Sequence, residues 1–214
     1  MTTTAESIIN DVSELVQDIN KERWTDAVLL RWLTESQQLI ATHKPESVAT
    51  KASVVLVAGV DQSLPADAVM LLRARRNTVS GSVVQLVDED TQNRIAPSWP
   101  GAALTVDAQV YMYDAKVDPL EFMVSPPNDG TGALSIVYAK IPAPISATTT
   151  PISVSDSFVP LIKDYIMYRA LQMETEGQNL PRSASHLQTF LIGLGLNVKA
   201  LEKFDPNREV AANE

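Results

Sequence analysis

The sequence has no cysteine. That absence removes disulfides, thiolate catalysis and cysteine-ligated metal together, and it leaves the redox compartment open, because a chain without thiols is at ease in either. Histidine is almost absent as well, with only His43 and His186. They fall on different expected helices. A Ser-His-Asp arrangement would need only one of them and is known by geometry, not spacing; the plainer reading is two solvated side chains on polar helix faces. The phosphate loop GxxxxGK[ST], the helix-opening GxGxxG and the nucleophile elbow GxSxG are all missing, so the sequence offers no nucleotide site and no hydrolase elbow. No stretch approaches the ~20 apolar residues of a membrane span. The start has no basic segment and only the short apolar pair Ile8-Ile9, so no signal peptide is expected and synthesis in the cytoplasm is.

Positive charge is also in short supply. Seventeen Lys and Arg stand against 26 Asp and Glu, for a formal net charge of -9. Affinity for phosphate backbones comes from clustered Lys and Arg that displace counterions, so nucleic-acid binding is not the expected main task. An acidic protein can still enclose DNA that it must not grip. Net charge that only aids solubility is the simplest account.

What is present is a chain of 214 residues with 45% hydrophobic content, enough for one substantial core and at most two domains. Thr3 and Glu6 have the capping-box spacing, and Ile8, Val12, Leu15, Val16 and Ile19 follow at helical intervals. Asn20-Lys21-Glu22 breaks the pattern. Thr25 is a good N-cap, Asp26 suits the positive end of a helix dipole, and Leu29, Trp32, Leu33 and Ile40 carry a second helix to Pro45. The period then shortens. Strands are expected at Val54 to Val57, Ser82 to Val87, Gln109 to Tyr113, Leu120 to Val124 and Ala133 to Tyr138, with an ambiguous run at Val69 to Leu72. Turns are expected at Gly59 to Gln62, Asp118-Pro119 and Pro126 to Gly130. Asp88 to Arg94 has the polarity of a short helical turn. After a Pro/Ser/Thr-rich connector, Ser157 or Asp156 caps a helix carrying Ile162, Ile166, Ala170 and Met173, with Pro160 tolerated in its first turn and Gly177 as its stop. A last helix starts at Ser183 and carries Leu187, Phe190, Leu191 and Leu194. The expected fold is α+β: a helical body of four helices (1–48 and 156–195), an inserted small antiparallel β-domain (49–145), and an extended C-terminal tail (196–214).

Few residues invite chemistry. Asp88-Glu89-Asp90 supplies oxygen ligands fit for a hard cation, but it lacks the glycine and alternating acids of a calcium loop and suits a helix N-terminus better. Tyr111, Tyr113, Phe122 and Tyr138 lie on strands, where a base-stacking platform would present them; their neighbours Asp114, Asp118 and Glu121 are acidic, so core packing is the better reading. Arg73, Arg75 and Arg76 form the densest basic cluster. It is either a clamp for carboxylates on a neighbouring subunit or a solvated strand end. No catalytic, cofactor or metal residue is assigned.

The segment Arg23 to Ile40 resembles the second helix of the head-to-tail adaptor proteins of tailed bacteriophages, whose pattern W-[ST]-D-x-x-L-L-x-[WY]-L-N-E is met by Trp24, Thr25, Asp26, Leu29, Leu30, Trp32, Leu33 and Glu35, with Thr34 in place of Asn. Leu64-Pro65-Ala66-Asp67 with Leu71 and Arg76-Asn77 resembles the next motif. Asp118-Pro119, Phe122, Pro126-Pro127, Gly130-Thr131-Gly132 and Ile136-Val137-Tyr138 resemble a third. Asp164-Tyr165 with Tyr168-Arg169-Ala170, then His186 and Phe190, complete the series, which spans roughly residues 5 to 195.

The resemblance implies a virion structural protein of the neck, assembled as a homo-oligomeric ring, commonly of twelve subunits, beneath the portal protein. It would meet a tail nozzle or tube protein on its far side. DNA would pass through its lumen without specific binding, and neither membrane nor cofactor would be involved. Val198, Leu201 and Phe204 in the tail become candidate portal-docking residues, and Arg73, Arg75 and Arg76 candidate inter-subunit contacts. The alternatives are another neck or tail component, such as a head-completion or tail-terminator protein, and a tail-associated hydrolase with a carboxylate pair drawn from Asp107, Asp114 and Glu121.

Overall fold

The structure is a computed structural model that describes residues 3–173 and 179–196. Val198, Leu201, Phe204 and the expected helix stop at Gly177 lie outside these residues. The chain is mixed α and β and divides into two compact units, one built from both ends of the sequence up to His43 and from Pro142 onward, the other from Lys44–Ile141.

The first unit holds α1 (Ala5–Leu15) and α2 (Asp26–His43). Helix α1 is not closed by the expected capping box: the Thr4 side chain makes no cap hydrogen bond. Its first free N–H groups, on Ala5 and Glu6, donate instead to the carbonyls of Thr150 and Thr148, and Ile152 N–H returns to the Thr3 carbonyl. A helix start must satisfy its orphan donors somehow, and here a distant segment of backbone does it. The apolar stripe is also shorter than its sequence pattern. Ile8, Ile9 and Val12 are buried, whereas Leu15 and Ile19 are exposed, because Gln17 and Lys21 take left-handed conformations and end the helical period. Between them Asp18 collects the N–H groups of Glu22 (2.9 Å), Arg23 (3.1 Å) and Trp24 (2.9 Å) on its carboxylate. Burial alone would raise its pKa, yet those donors outweigh it and hold the carboxyl below its ordinary value.

Helix α2 buries Leu29, Trp32, Leu33 and Ile40, the stripe its spacing predicts, each side chain contributing about 1.5–3 kcal/mol. Two buried polar residues on the same helix tie down the connector: Thr34 Oγ1 accepts from Ile145 N–H (3.1 Å), and Gln37 Oε1 from Ser153 N–H (2.6 Å).

The second unit holds seven strands, one short α-helix and two single-turn 3-10 helices, Pro45–Val48 and Trp99–Gly101. The strands are β1 (Ala49–Val55), β2 (Ala58–Ser63), β3 (Ala68–Asn77), β4 (Gln85–Leu86), β5 (Val110–Met112), β6 (Glu121–Asp129) and β7 (Ala133–Lys140). They form two sheets, β1-β7-β3 and β2-β6-β5-β4. The first is antiparallel throughout, but β4 runs parallel to β5, so the expectation of a purely antiparallel β-domain is corrected. Two expected turns are strands. Gly59 to Gln62 lies in β2, whose pairing shifts between Gly59 and Asp61, and the buried Gln62 amide binds the backbone of Val57 at both its oxygen (2.7 Å) and its nitrogen (2.9 Å). Pro126 to Asp129 continues β6, and only Gly130 turns, at φ +88°. The long run expected at Ser82 to Val87 shrinks to β4.

Strand β3 explains why its apolar run is ambiguous. It buries Ala68, Leu71, Ala74 and Asn77, a period of three where a strand has two. Register shifts at Ala68/Met70, Leu71/Arg73 and Ala74/Arg76 each insert an extra residue, the signature of β-bulges. Every third side chain therefore returns to the inner face. There Leu71, Ala74 and Asn77 pair with the buried Tyr138, Ile136 and Leu134.

Helix α3 (Glu89–Ile95) is the short helix expected after Val87, and the Asp88 carboxylate caps it by accepting from Thr91 N–H (3.3 Å). In the first unit, α4 (Val159–Gln172) follows a tight turn capped by Ser155 rather than Ser157 or Asp156. Its buried Ile162, Ile166 and Ala170 match their spacing, while Met173 is exposed. Helix α5 (Asn179–Gly193) begins ahead of Ser183, with Pro181 in its first turn. It closes on Gly195 at φ +76°, where Leu196 N–H reaches the Leu191 carbonyl and Gly195 N–H that of Ile192; these are the two bonds of a Schellman motif.

Candidate interaction surfaces

Most motif residues prove to be locks inside one unit or the other. In the β unit, Asp67 accepts from Tyr138 Oη (3.0 Å) and pairs with Lys140 Nζ (2.9 Å). The Lys140 hydrogen bond holds the Asp67 carboxyl below its ordinary value, and Asp67 in turn raises Lys140. Burial, then Asp67, pushes the Tyr138 phenol up. The buried Asn77 donates to the Ala108 carbonyl (2.8 Å) and accepts from Ala108 N–H (3.0 Å). The equally buried Asn128 donates to Val106 O (2.8 Å) and accepts from Gly130 N–H (2.9 Å). Gly132 lies so close that a Cβ would stand 2.1 Å from Val106 O and 2.4 Å from Asn128 Nδ2. The glycine of this motif is thus required by space.

In the helical unit, Tyr165 Oη donates to Glu35 Oε2 (3.3 Å), and Arg169 pairs with the same oxygen at 3.5 Å. Burial, then Glu35, raises the Tyr165 phenol. His186 Nδ1 lies 2.8 Å from Asp164 Oδ1, so it is held between α5 and α4 rather than merely solvated. Ser183 Oγ donates to the Tyr168 carbonyl (3.0 Å), and the rings of Tyr165 and Phe190 pack at 5.1 Å. His43 is the exposed last residue of α2.

The strand aromatics are core. Tyr111, Phe122 and Tyr138 belong to the buried cluster of the β unit, and Tyr113 packs against it. The Tyr113 hydroxyl accepts from Leu71 N–H and donates to Pro119 O, both at 3.0 Å. No platform of exposed rings is formed among the described residues of these strands.

Two surfaces of the β unit remain. The first is the outer face of the β1-β7-β3 sheet. Lys51, Val137 and Arg73 form one cross-strand row, and Ser53, Ser135 and Arg76 the next. Lys51, Arg73 and Arg76 are exposed and Arg75 is half-buried. None of the four cations has a carboxylate partner among the described residues. The second is a cleft of about 370 Å³ lined by Asp61, Asp88, Glu89, Asp90, Asp114, Asp118 and Glu121 over a floor that includes Met112 and Phe122. Of the three acids considered for a carboxylate pair, Asp114 and Glu121 line this cleft and Asp107 does not; its carboxylate instead accepts from Ser82 Oγ at 3.4 Å. No group of His, Cys, Asp and Glu arranged to hold a metal ion occurs among the described residues.

Sequence reasoning found the arginines but missed Lys51 beside them, although the Lys-x-Ser-x-Val alternation of β1 carried the signal. It missed the cleft as a unit because its acids come from three separate segments, Asp61, 88–90 and 114–121. No helix among the described residues is long and apolar enough to cross a membrane.

Compared with known proteins, the chain matches the family model described as SU10 adaptor protein over residues 3–208. That span includes most of the C-terminal tail, which the motif resemblance had left outside. No curated protein matches the chain.

Proposed function

The chain belongs to the SU10 adaptor protein family, a phage head-to-tail adaptor family, and from that premise we propose that it is a ring-forming structural subunit of the virion neck. The match over nearly the whole chain carries this reading. In it, the subunits form a closed ring, of twelve copies by family habit, below the portal protein and above a tail nozzle or tube protein. Heterologous contacts that close on themselves give such rings. The net charge of -9 suits a lumen that DNA must cross without adhering. The protein has no catalytic role and needs no cofactor. It is made in the host cytoplasm, stays monomeric or weakly associated there, and completes its ring only on the portal.

The tail arm with Val198, Leu201 and Phe204 docks on the portal in this reading. Ordering such a segment costs about 1–2 kcal/mol per residue. Burying Leu201 and Phe204 offsets part of that, and a ring of tethered arms gains through effective concentration.

The test is to mix the purified full-length chain with portal-bearing capsids and image the portal vertex by negative stain. A ring seated there is expected. Its absence, or turnover of peptidoglycan or glycans that vanishes when Asp114 or Glu121 is replaced, would overturn the structural reading. Truncation after Gly195 separates the arm from the rest: attachment equal to that of the full-length chain would sink the docking role of the tail.

A further inference from the structure

The β unit carries two charged surfaces of opposite sign that do not satisfy each other. The outer face of β1-β7-β3 presents Lys51, Arg73 and Arg76 around the half-buried Val137 and Ser135, with the half-buried Arg75 at the bulge between the two arginines. The cleft collects seven carboxylates, and the neighbouring Lys116 is not among the residues that line it. Several of those acids already accept local N–H bonds, Asp88 from Thr91, Asp114 from Lys116 and Asp118 from Leu120. The carboxylates of Asp61, Glu89 and Glu121 have no hydrogen-bond or ion-pair partner among the described residues. The two surfaces belong to different sheets, and no ion pair joins them within the chain among the described residues.

We propose that the cationic outer face of the β1-β7-β3 sheet docks against the acidic cleft of a second copy of this chain. Charge complementarity selects that occupant. Guanidinium groups bind carboxylates in a planar, two-pronged geometry, and those of β3, with Lys51 across the sheet on β1, meet acids spread over β2, β6 and the segments beside α3. The half-buried Val137 and the cleft's half-buried Met123 add apolar contact beside the charges. Because the two surfaces are different patches, the contact is heterologous. It passes from copy to copy and closes as a ring or continues as a filament, and it does not stop at a two-fold dimer. It thus deepens the ring reading, on which it rests, by naming the sheet face and cleft that join neighbours. Exposed pairs of this kind are screened by salt, so self-association weakens as ionic strength rises.

Charge reversal tests it on the full-length chain by sedimentation velocity at high protein concentration and low ionic strength. One variant carries Arg73→Glu with Arg76→Glu, the other Asp61→Lys with Glu121→Lys. All four residues are exposed, and circular dichroism checks that the fold is kept; Arg73→Gln with Arg76→Gln serves if the reversal disturbs it. Each reversed variant alone should associate at least about tenfold more weakly than the wild type. An equimolar mixture of the two should regain association, because the new Glu residues of one face the new Lys residues of the other while the native pair survives at the alternate contact. Wild-type protein that does not associate, variants that associate like the wild type, or a mixture that recovers nothing would each overturn the proposal. So would loss of double-stranded DNA retention with self-association unchanged, since the face would then be a phosphate contact. Attachment of wild-type protein to portal-bearing capsids is scored separately, so the adaptor reading can stand while this contact falls.

Discussion

The two units bury comparable apolar cores but close them in different ways. The β unit places amide side chains inside: Gln62, Asn77 and Asn128 are each nearly inaccessible, and each bonds backbone groups of a loop or irregular strand. The helical unit joins its elements with half-exposed ion pairs, Lys163 to Asp11 and Arg169 to Glu35, and with ring packing at Tyr165 and Phe190. Helices satisfy their own backbone, so contacts between them need only volume and a few peripheral charges. Bulged strands and long loops leave backbone groups unpaired, and a buried amide is the side chain that can serve a donor and an acceptor at once. The β unit should therefore be sensitive to single atoms, the helical unit chiefly to side-chain volume.

Gly132→Ala should expose that difference most strongly. Its Cβ would meet the Val106 carbonyl and the Asn128 amide together, so both packing and the buried network give way. A loss of about 3 kcal/mol or more is expected in urea denaturation. An unchanged midpoint would mean the loop has room it does not show. Asn77→Ala should follow, at about 2–3 kcal/mol, because both the N–H and the carbonyl of Ala108 lose their partner inside the core. Hydrogen exchange at Ala108 is the direct readout, and full protection in the variant would refute the role given to the amide.

Asp18→Asn probes a place where the helical unit also relies on side-chain capture of backbone, as it does at Thr34 and Gln37. The neutral amide keeps an acceptor oxygen but loses the charge, for about 1 kcal/mol. Since folding depresses the Asp18 pKa, its contribution is present above the ordinary carboxylate pKa and fades as pH falls through the lower, folded value. The wild-type minus Asp18→Asn stability difference should therefore shrink on acidification, and a difference that is flat with pH would reject the assignment. The smallest effect is expected for Glu35→Gln. Glu35 and Arg169 are each about one-third exposed and solvent screens the pair, so about 0.5 kcal/mol is its scale. A double-mutant cycle with Arg169→Gln measures it, and a coupling as large as the Asn77 effect would erase the contrast between the units.

The helical unit was the more legible in sequence for the same reason. Leu29, Trp32, Leu33 and Ile40, and again Ile162, Ile166 and Ala170, keep the helical period and are buried as that period requires. The strands with plain alternation, β7 above all, were legible too. Where side chains replace backbone partners, local signals mislead. Gly59 to Gln62 has turn chemistry but forms β2 because Gln62 satisfies the neighbouring backbone, and Pro126 to Asp129 stays extended because Asn128 does the same for the loop beside it. The three-residue period of β3 matches neither template. Of the candidate surfaces, the arginines were visible as a cluster. The acidic cleft was not, since only the fold brings Asp61, the α3 start and the 114–121 segment together.

Helix α1 is begun by the carbonyls of Thr148 and Thr150, which lie beyond the whole β unit in the sequence. During translation the first helices must therefore wait for that segment to be made, whereas Lys44–Ile141 is continuous and complete before it. At about 5–20 residues per second, the interval lasts several seconds. The β unit can use it to fold, while the apolar faces of α1 and α2 stay uncovered on the ribosome, open to chaperones and to misassociation.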